Sequence, residues 1–309
     1  MSRILERARR VPGRIRSQLL RPRVLALKRE RQQLQYDTAP KVTAILQCYN
    51  KADALPKLLA RIQIPEIQEI IAIDDGSADS TLSVLVRALR KPNHFVLHAN
   101  DLFEIRTYNR ALRMATGELI ALLQDDDLPP EGSAWVENAQ KLFDLDPRLA
   151  VLGGRDGLDL LLPDPVPSDG KTEYRIVNDV GGTPGIHKYR LWRSSQLDSG
   201  VRYVMAVNRA PMWVRRSAVV ELGYIDDAFA PFQCDDVDLC VRAWLAGWRV
   251  GLYAGRFTYL TQGGMRLYNV GASAQQVARN WPEIYRRYGQ QIGDNRLSKL
   301  VEDANGSLG

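Results

Sequence analysis

Three clusters of carboxylates hold the residues best able to do chemistry: Asp74-Asp75-Gly76-Ser77, Asp125-Asp126-Asp127 and Asp235-Asp236-Val237-Asp238. Adjacent carboxylates repel one another, so a fold keeps them together where a cation or a transferable proton is at hand. Hard divalent cations such as Mg²⁺ or Mn²⁺ take oxygen ligands, often one or two carboxylates plus the phosphates of a substrate. A carboxylate at a strand end can also accept hydrogen bonds from a nucleobase N–H or a ribose hydroxyl, and one at a helix start can serve as a general base. Each motif has a plainer reading as well. Asp-Asp-Gly-Ser is common turn chemistry, Pro129-Pro130 suits a helix start after the triple aspartate, and acids are frequent at helix N-termini.

The surrounding pattern says what positions these groups. Apolar runs over 42–46, 69–73, 95–97 and 119–123 read as strands. Leu55, Leu58, Leu59 and Ile62 recur at helical spacing with Asp53 as the expected N-cap, and further helices are expected over 82–89 and 105–115. Alternating strands and helices imply a parallel sheet with right-handed crossovers, whose ligands bind at the carboxyl ends of the strands. The first two acid clusters fall at such ends. Residues 153–200 are less regular, with loop chemistry over 162–170. Residues 204–214 return to strand character, 217–222 read as a short helix ending at Gly223, and the third cluster opens a helix that runs to Gly247. From about 274 the chain reads as polar helix.

Composition narrows the classes. Hydrophobic residues make up 45% of 309, enough for a sizeable core. No apolar run reaches the roughly 18 residues of a membrane span, and no signal peptide is visible. Cys48, Cys234 and Cys240 lack metal-type spacing and read as buried thiols in a reducing compartment. The formal charge of +6 is uneven, with +9 in residues 1–31 and −3 in the remainder. The basic character therefore belongs to a leader, and a nucleic-acid-binding body is disfavoured. That leader reads either as a solvated tail or as a peripheral contact with an anionic membrane. His94, His98 and His187 pair with no nucleophile and read as structural. Trp192, between Arg190 and Arg193, is the expected stacking face for a sugar.

Taken together, the motifs resemble those of family 2 glycosyltransferases of the GT-A fold. The matches are Gln47-Cys48-Tyr49-Asn50, the Asp74–Asp79 stretch, Ala115-Thr116-Gly117-Glu118 before the triple aspartate, Gly223-Tyr224-Ile225-Asp226-Asp227, and Asp235-Asp236-Val237-Asp238-Leu239 with Arg242. They run in order over roughly residues 40–265. The resemblance implies an α/β fold with a Rossmann-type, mainly parallel mixed sheet flanked by helices in one catalytic domain. The expected divisions are a leader (1–38), that domain (39–272) and a helical tail (273–309). The implied activity is inverting, metal-dependent transfer from a UDP-, dTDP- or GDP-linked sugar to a glycan or lipid-linked saccharide, in the cytoplasm or on the inner face of its membrane. A sugar nucleotidyltransferase and a non-catalytic nucleotide-sugar-binding relative are the alternatives.

By the same resemblance, Tyr49, Asp74, Asp75, Arg106, Asn109 and Asp125 are expected around the nucleotide. Asp126 is expected on the metal (Mn²⁺ or Mg²⁺), with Asp127 as the alternative, and Asp236 as the base. Asp235 and Trp192 are expected on the acceptor side, Asp235 also as a helix cap. Three departures stand out. Gln124 occupies the first aspartate of the Asp-x-Asp motif, Tyr108 stands where an arginine is usual with Arg106 as its substitute, and 258–264 carries no histidine for a further metal contact.

Overall fold

The computed structural model describes residues 40–162, 172–178, 184–209, 211–260 and 270–308. The basic leader, residues 163–171 with most of the expected loop, residues 261–269 and the His187 side chain lie outside the described residues.

The N-terminal half alternates strand and helix. β1 (Val42–Cys48), α1 (Leu55–Ile62), β2 (Glu69–Asp75), α2 (Thr81–Ala88), β3 (His94–Ala99), α3 (Phe103–Met114) and β4 (Leu119–Gln124) follow one another, then β5 (Asp127–Leu128) and α4 (Ala134–Leu145). β2 is buried along its whole length and β1 and β4 nearly so, the condition of central strands covered on both faces. β1 pairs in parallel with both β2 and β4, with Cys48 opposite Asp74 and Gln47 opposite Gln124. That register brings the ends of all three strands to one edge, with both N-terminal acid clusters on it. The helical period of α1 is as expected, with Leu55, Leu58, Leu59 and Ile62 buried, but Asp53 does not cap it: the N-cap is Ala54, without a side-chain bond.

The second half adds β6 (Leu149–Gly153), β7 (Asp156–Leu161), β8 (Thr172–Asn178), β9 (Pro184–Arg193), β10 (Val201–Tyr203), β11 (Ala206–Val207) and β12 (Met212–Arg215). It continues with α5 (Arg216–Glu221), α6 (Asp235–Leu245), β13 (Arg249–Tyr253), β14 (Thr258–Tyr259), α7 (Val270–Gly293) and α8 (Arg296–Gly306). The main sheet has eight described strands in the order β10-β13-β6-β12-β4-β1-β2-β3. Only β12 and β10 run against the rest, so the sheet is mixed and mainly parallel. The region read from sequence as irregular instead builds a second, antiparallel sheet, β11-β7-β9-β8.

The segment expected as a tail is helical, and it is packed into the same unit. Along α7, Ala278, Trp281, Ile284, Tyr288 and Ile292 are buried, and along α8 Leu297, Val301 and Ala304 join them. The spacing marks an apolar stripe on each helix. Among the described residues no helix is long and apolar enough to cross a membrane. All three cysteines are buried and unbridged.

Candidate active site

At the carboxyl ends of β1 and β2 two loops are zipped together. Asn50 N–H donates to Ser77 Oγ (2.9 Å), Lys51 N–H to Thr81 Oγ1 (2.8 Å) and Ala52 N–H to Asp79 Oδ2 (3.1 Å), while Asn50 Oδ1 accepts from Ala78 N–H (2.8 Å). Residues 77–81 thus hold the Asn50–Ala52 backbone, and Gly76 turns at φ +83°, where a side chain would be strained. Asp75 accepts from Leu102 N–H (2.9 Å), Phe103 N–H (2.8 Å) and Gln47 Nε2 (3.3 Å). It anchors the start of α3 to β2. Burial raises its pKa, against those hydrogen bonds. Asp74 is fully buried and held at 2.8 Å by His98 Nδ1.

The triple aspartate sends its members to three different partners. Asp125 accepts from Tyr49 N–H (2.9 Å), with Lys51 Nζ at 3.9 Å. Burial pushes its pKa up to about 7, although Lys51 and the Tyr49 N–H pull it down. Asp126 is half-buried on the turn, and its carbonyl accepts from Leu260 N–H at 2.8 Å. Asp127 is buried in β5 and accepts from Arg155 at 3.1 Å. That ion pair occupies one of the carboxylate oxygens of Asp127.

Beyond this edge opens a cavity of about 540 Å³. Its walls come from the start of α3 (Glu104), the end of β4 (Gln124), the second sheet (Leu158, Tyr189, Leu191), α7 (Trp281) and the start of α6. The acids of α6 are sorted there. Asp235 is buried and ion-paired with Arg209, so it is sequestered and caps no N–H. Asp238 is fully buried and takes Arg242 (2.7 Å), Arg287 (3.1 Å) and the Tyr288 hydroxyl (2.6 Å). Asp236 is half-buried on the cavity wall and accepts from the backbone N–H groups of Val237 (2.8 Å) and Arg209 (3.3 Å). Its pKa is raised above the ordinary aspartate range by burial, with Arg209 opposing and Glu104 adding. Its neighbours Asp235 and Asp238 are not the source, because arginines hold both.

Arg209 is the cation that sequence reasoning missed. It is buried, meets Glu104 at 2.7 Å, and lies 4.7 Å over the Tyr108 ring. Its partners come from α3 and α6, far apart in sequence, and no motif marks it. Arg106, the expected substitute cation, is exposed and does not line the cavity. Asn109 is engaged within the protein. Its amide donates to the Ile225 carbonyl and to Asp227 (both 2.8 Å) and accepts from Ile225 N–H (3.0 Å). It latches α3 to the 223–227 turn. Strand alternation turns Leu191 and Arg193 to the cavity, and Trp192 is not among its lining residues. Its indole N–H donates to Asp159 at 2.6 Å, and Arg202 lies 3.5 Å over its ring.

A second set of positioning residues comes from α7. Asn280 is 2% exposed, and its amide meets the carbonyls of Phe229 (3.0 Å), Phe232 (3.1 Å) and Gln233 (2.7 Å), while Gln276 donates to Asn280 at 3.0 Å. These bonds pin the loop entering α6, where Gln233 and Cys234 take φ of +78° and +65°. Non-glycine residues there cost of order 1–3 kcal/mol each and persist only when their surroundings over-determine them.

Among the described residues, no three His, Cys, Asp or Glu side chains converge as a metal cage. The carboxylates at the end of β4 are of the oxygen-ligand type that suits a hard divalent ion, which commonly takes one or two carboxylates with substrate phosphates and water.

Residues 43–174 match the family model described as glycosyl transferase family 2. The chain is 27% identical over 122 residues to an undecaprenyl-phosphate 4-deoxy-4-formamido-L-arabinose transferase of Photorhabdus laumondii, covering 36% of this chain and 38% of that one. It is 23% identical over 217 residues to a poly-beta-1,6-N-acetyl-D-glucosamine synthase of Staphylococcus aureus, covering 68% and 47%. The chain thus spans less than half the length of these curated relatives. A crystal structure of GalNAc-T7 with UDP, GalNAc and Mn²⁺ shares the fold, at a TM-score of 0.51 and 12% identity over 72% of this chain and 44% of that one. Over residues 43–174 the chain is thus similar to glycosyl transferase family 2, and its fold is of the GT-A type.

Proposed function

We propose that this protein is a nucleotide-sugar-dependent, inverting glycosyltransferase. The observation that carries this reading is the sorting of the α6 acids. Asp235 and Asp238 are tied into ion pairs, and among the described residues Asp236 has backbone donors only and opens on the cavity. The nucleoside lies over the Tyr49 loop and the ends of β2 and β3, beside Asp74 and Asp125, with Asp75 orienting that wall. The diphosphate lies at the end of β4, and the acceptor enters the cavity.

The chemistry is a single displacement. Asp236 takes the proton of an acceptor hydroxyl. That oxygen bonds to the anomeric carbon from the face opposite the leaving group, and the bond from the carbon to the diphosphate oxygen breaks. A base whose pKa is raised towards the working range suits this proton transfer. A bound Mn²⁺ or Mg²⁺, with Asp126 as its protein ligand, supplies positive charge for the leaving diphosphate. The names of the curated relatives favour a lipid-linked or polysaccharide acceptor, and residues 1–31 favour a place at the cytoplasmic membrane surface.

The test is thermal unfolding with UDP, dTDP and GDP, each with and without Mn²⁺. One nucleotide should raise the midpoint, more so with Mn²⁺, by mass action, and Asp126→Ala should abolish the metal increment. No rise with any nucleotide sinks the reading.

A further inference from the structure

An unbroken set of contacts joins the end of β4 to the start of α6. Gln124 Nε2 donates to Glu104 Oε1 at 2.9 Å, and the same oxygen meets Arg209 Nη1 at 2.7 Å. The other arm of Arg209 is paired with Asp235, and its backbone N–H donates to Asp236 at 3.3 Å. All five residues line the one cavity. We propose that Gln124, Glu104 and Arg209 are a positioning relay that fixes the orientation and the ionised state of Asp236, and that the relay requires an amide at position 124. The relay deepens the function proposed above, because it matters to catalysis only if Asp236 is the base.

The chemistry of position 124 makes the requirement specific. Glu104 already spends one oxygen on two donors, and Gln124 is one of them. A carboxylate at 124 has no proton to give at neutral pH. It would face Glu104 as a like charge at hydrogen-bond distance. Glu104 would then swing away, or Arg209 would be drawn towards two carboxylates and away from α6. The second movement takes positive charge from Asp236, and in either case the new carboxylate adds a negative charge to the cavity wall that Asp236 shares. An aspartate at this position, which the sequence motif invites, is therefore expected to impair the site. Arg209 is suited to its place because a guanidinium presents fixed, divergent N–H groups and keeps its charge when buried. Its position over the Tyr108 ring adds a cation–π contact.

The charged or titratable groups that face Asp236 are Arg209, Glu104 and Asp235, with the thiols of Cys234 and Cys240 behind it. Arg155, Asp156 and Arg193 complete the charges on the cavity wall. Among the described residues, the contacts through Glu104 and Arg209 join position 124 to Asp236.

The test is a ¹³C NMR titration of the Asp236 carboxyl group in the full chain, assigned with Asp236→Asn. It is made for the wild type, Gln124→Asp, Gln124→Glu and Arg209→Lys, with thermal melts to confirm folding. Both acidic substitutions at 124 should move the Asp236 midpoint upward by about one pH unit, a tenfold change in proton affinity. Arg209→Lys, which keeps the charge and loses the fork, should shift it less. An Asp236 midpoint unchanged in folded Gln124→Asp and Gln124→Glu overturns the relay. The readout needs no acceptor, so it separates from the proposed function: if Asp236→Asn transfers sugar normally, that function fails while the titration still decides the relay.

Discussion

Asp235 and Asp236 are adjacent, and the fold gives them opposite work. Asp236→Asn should keep donor affinity and lose transfer by about 10²–10⁴-fold, the usual worth of a general base. Asp235→Asn should instead destabilise the protein, because it leaves Arg209 with Glu104 alone. A broken buried pair costs roughly 3–5 kcal/mol, and the surviving partner should hold the loss to the lower end. Initial rates, nucleotide calorimetry and denaturant melts on both variants separate the roles. A rate loss in Asp235→Asn larger than in Asp236→Asn would transfer the assignment. The pH profile carries the same assignment. Asp236 works only when ionised and its pKa is raised by burial, so kcat/KM should fall with decreasing pH along a limb set above the ordinary aspartate value of 3.8. That limb should vanish in Asp236→Asn.

Elements deliver these residues, and α7 does so from far along the chain. Asn280→Ala strips donors from carbonyls of the loop entering α6, and each buried acceptor left without a partner costs about 1–3 kcal/mol. The expected result is lower stability in urea and a fall in kcat that exceeds any change in nucleotide affinity. Equal stability to the wild type would show that the clamp carries no weight. How much of this was legible follows from the physics of each element. β1, β2 and β4 are covered on both faces and so read as continuous apolar runs, and the acids at their ends could be placed. β7 and β9 are partly exposed and carry polar residues between apolar ones, so their pairing did not show. Trp192 was expected at the site because Arg190 and Arg193 flank it, but the strand turns Arg193 to the cavity and Trp192 to the opposite face. Arg209, Asn109 and Asn280 act through partners 26 to more than 100 residues away. A single sequence carries no mark of such pairs.

At the scale of the whole molecule, charge is divided between a leader of +9 and a remainder of −3. Deleting residues 1–31 should leave nucleotide binding intact and weaken sedimentation with anionic vesicles, where each basic residue near the surface is worth about 1 kcal/mol. Equal vesicle binding by both forms would end the membrane reading. The placement of α7 and α8 has a consequence in time. The strands and acids of the nucleotide edge lie before residue 130, yet the loop carrying Asp236 is pinned by Asn280, and the edge strand β10 is covered by Asn305, which bonds both backbone groups of Tyr203 at 3.0 and 2.9 Å. Synthesis proceeds from the N-terminus at about 5–20 residues per second. The strands of that edge are therefore made some seconds before α7, and on the proposed reading the loop that carries the base is pinned only once Asn280 has been synthesised.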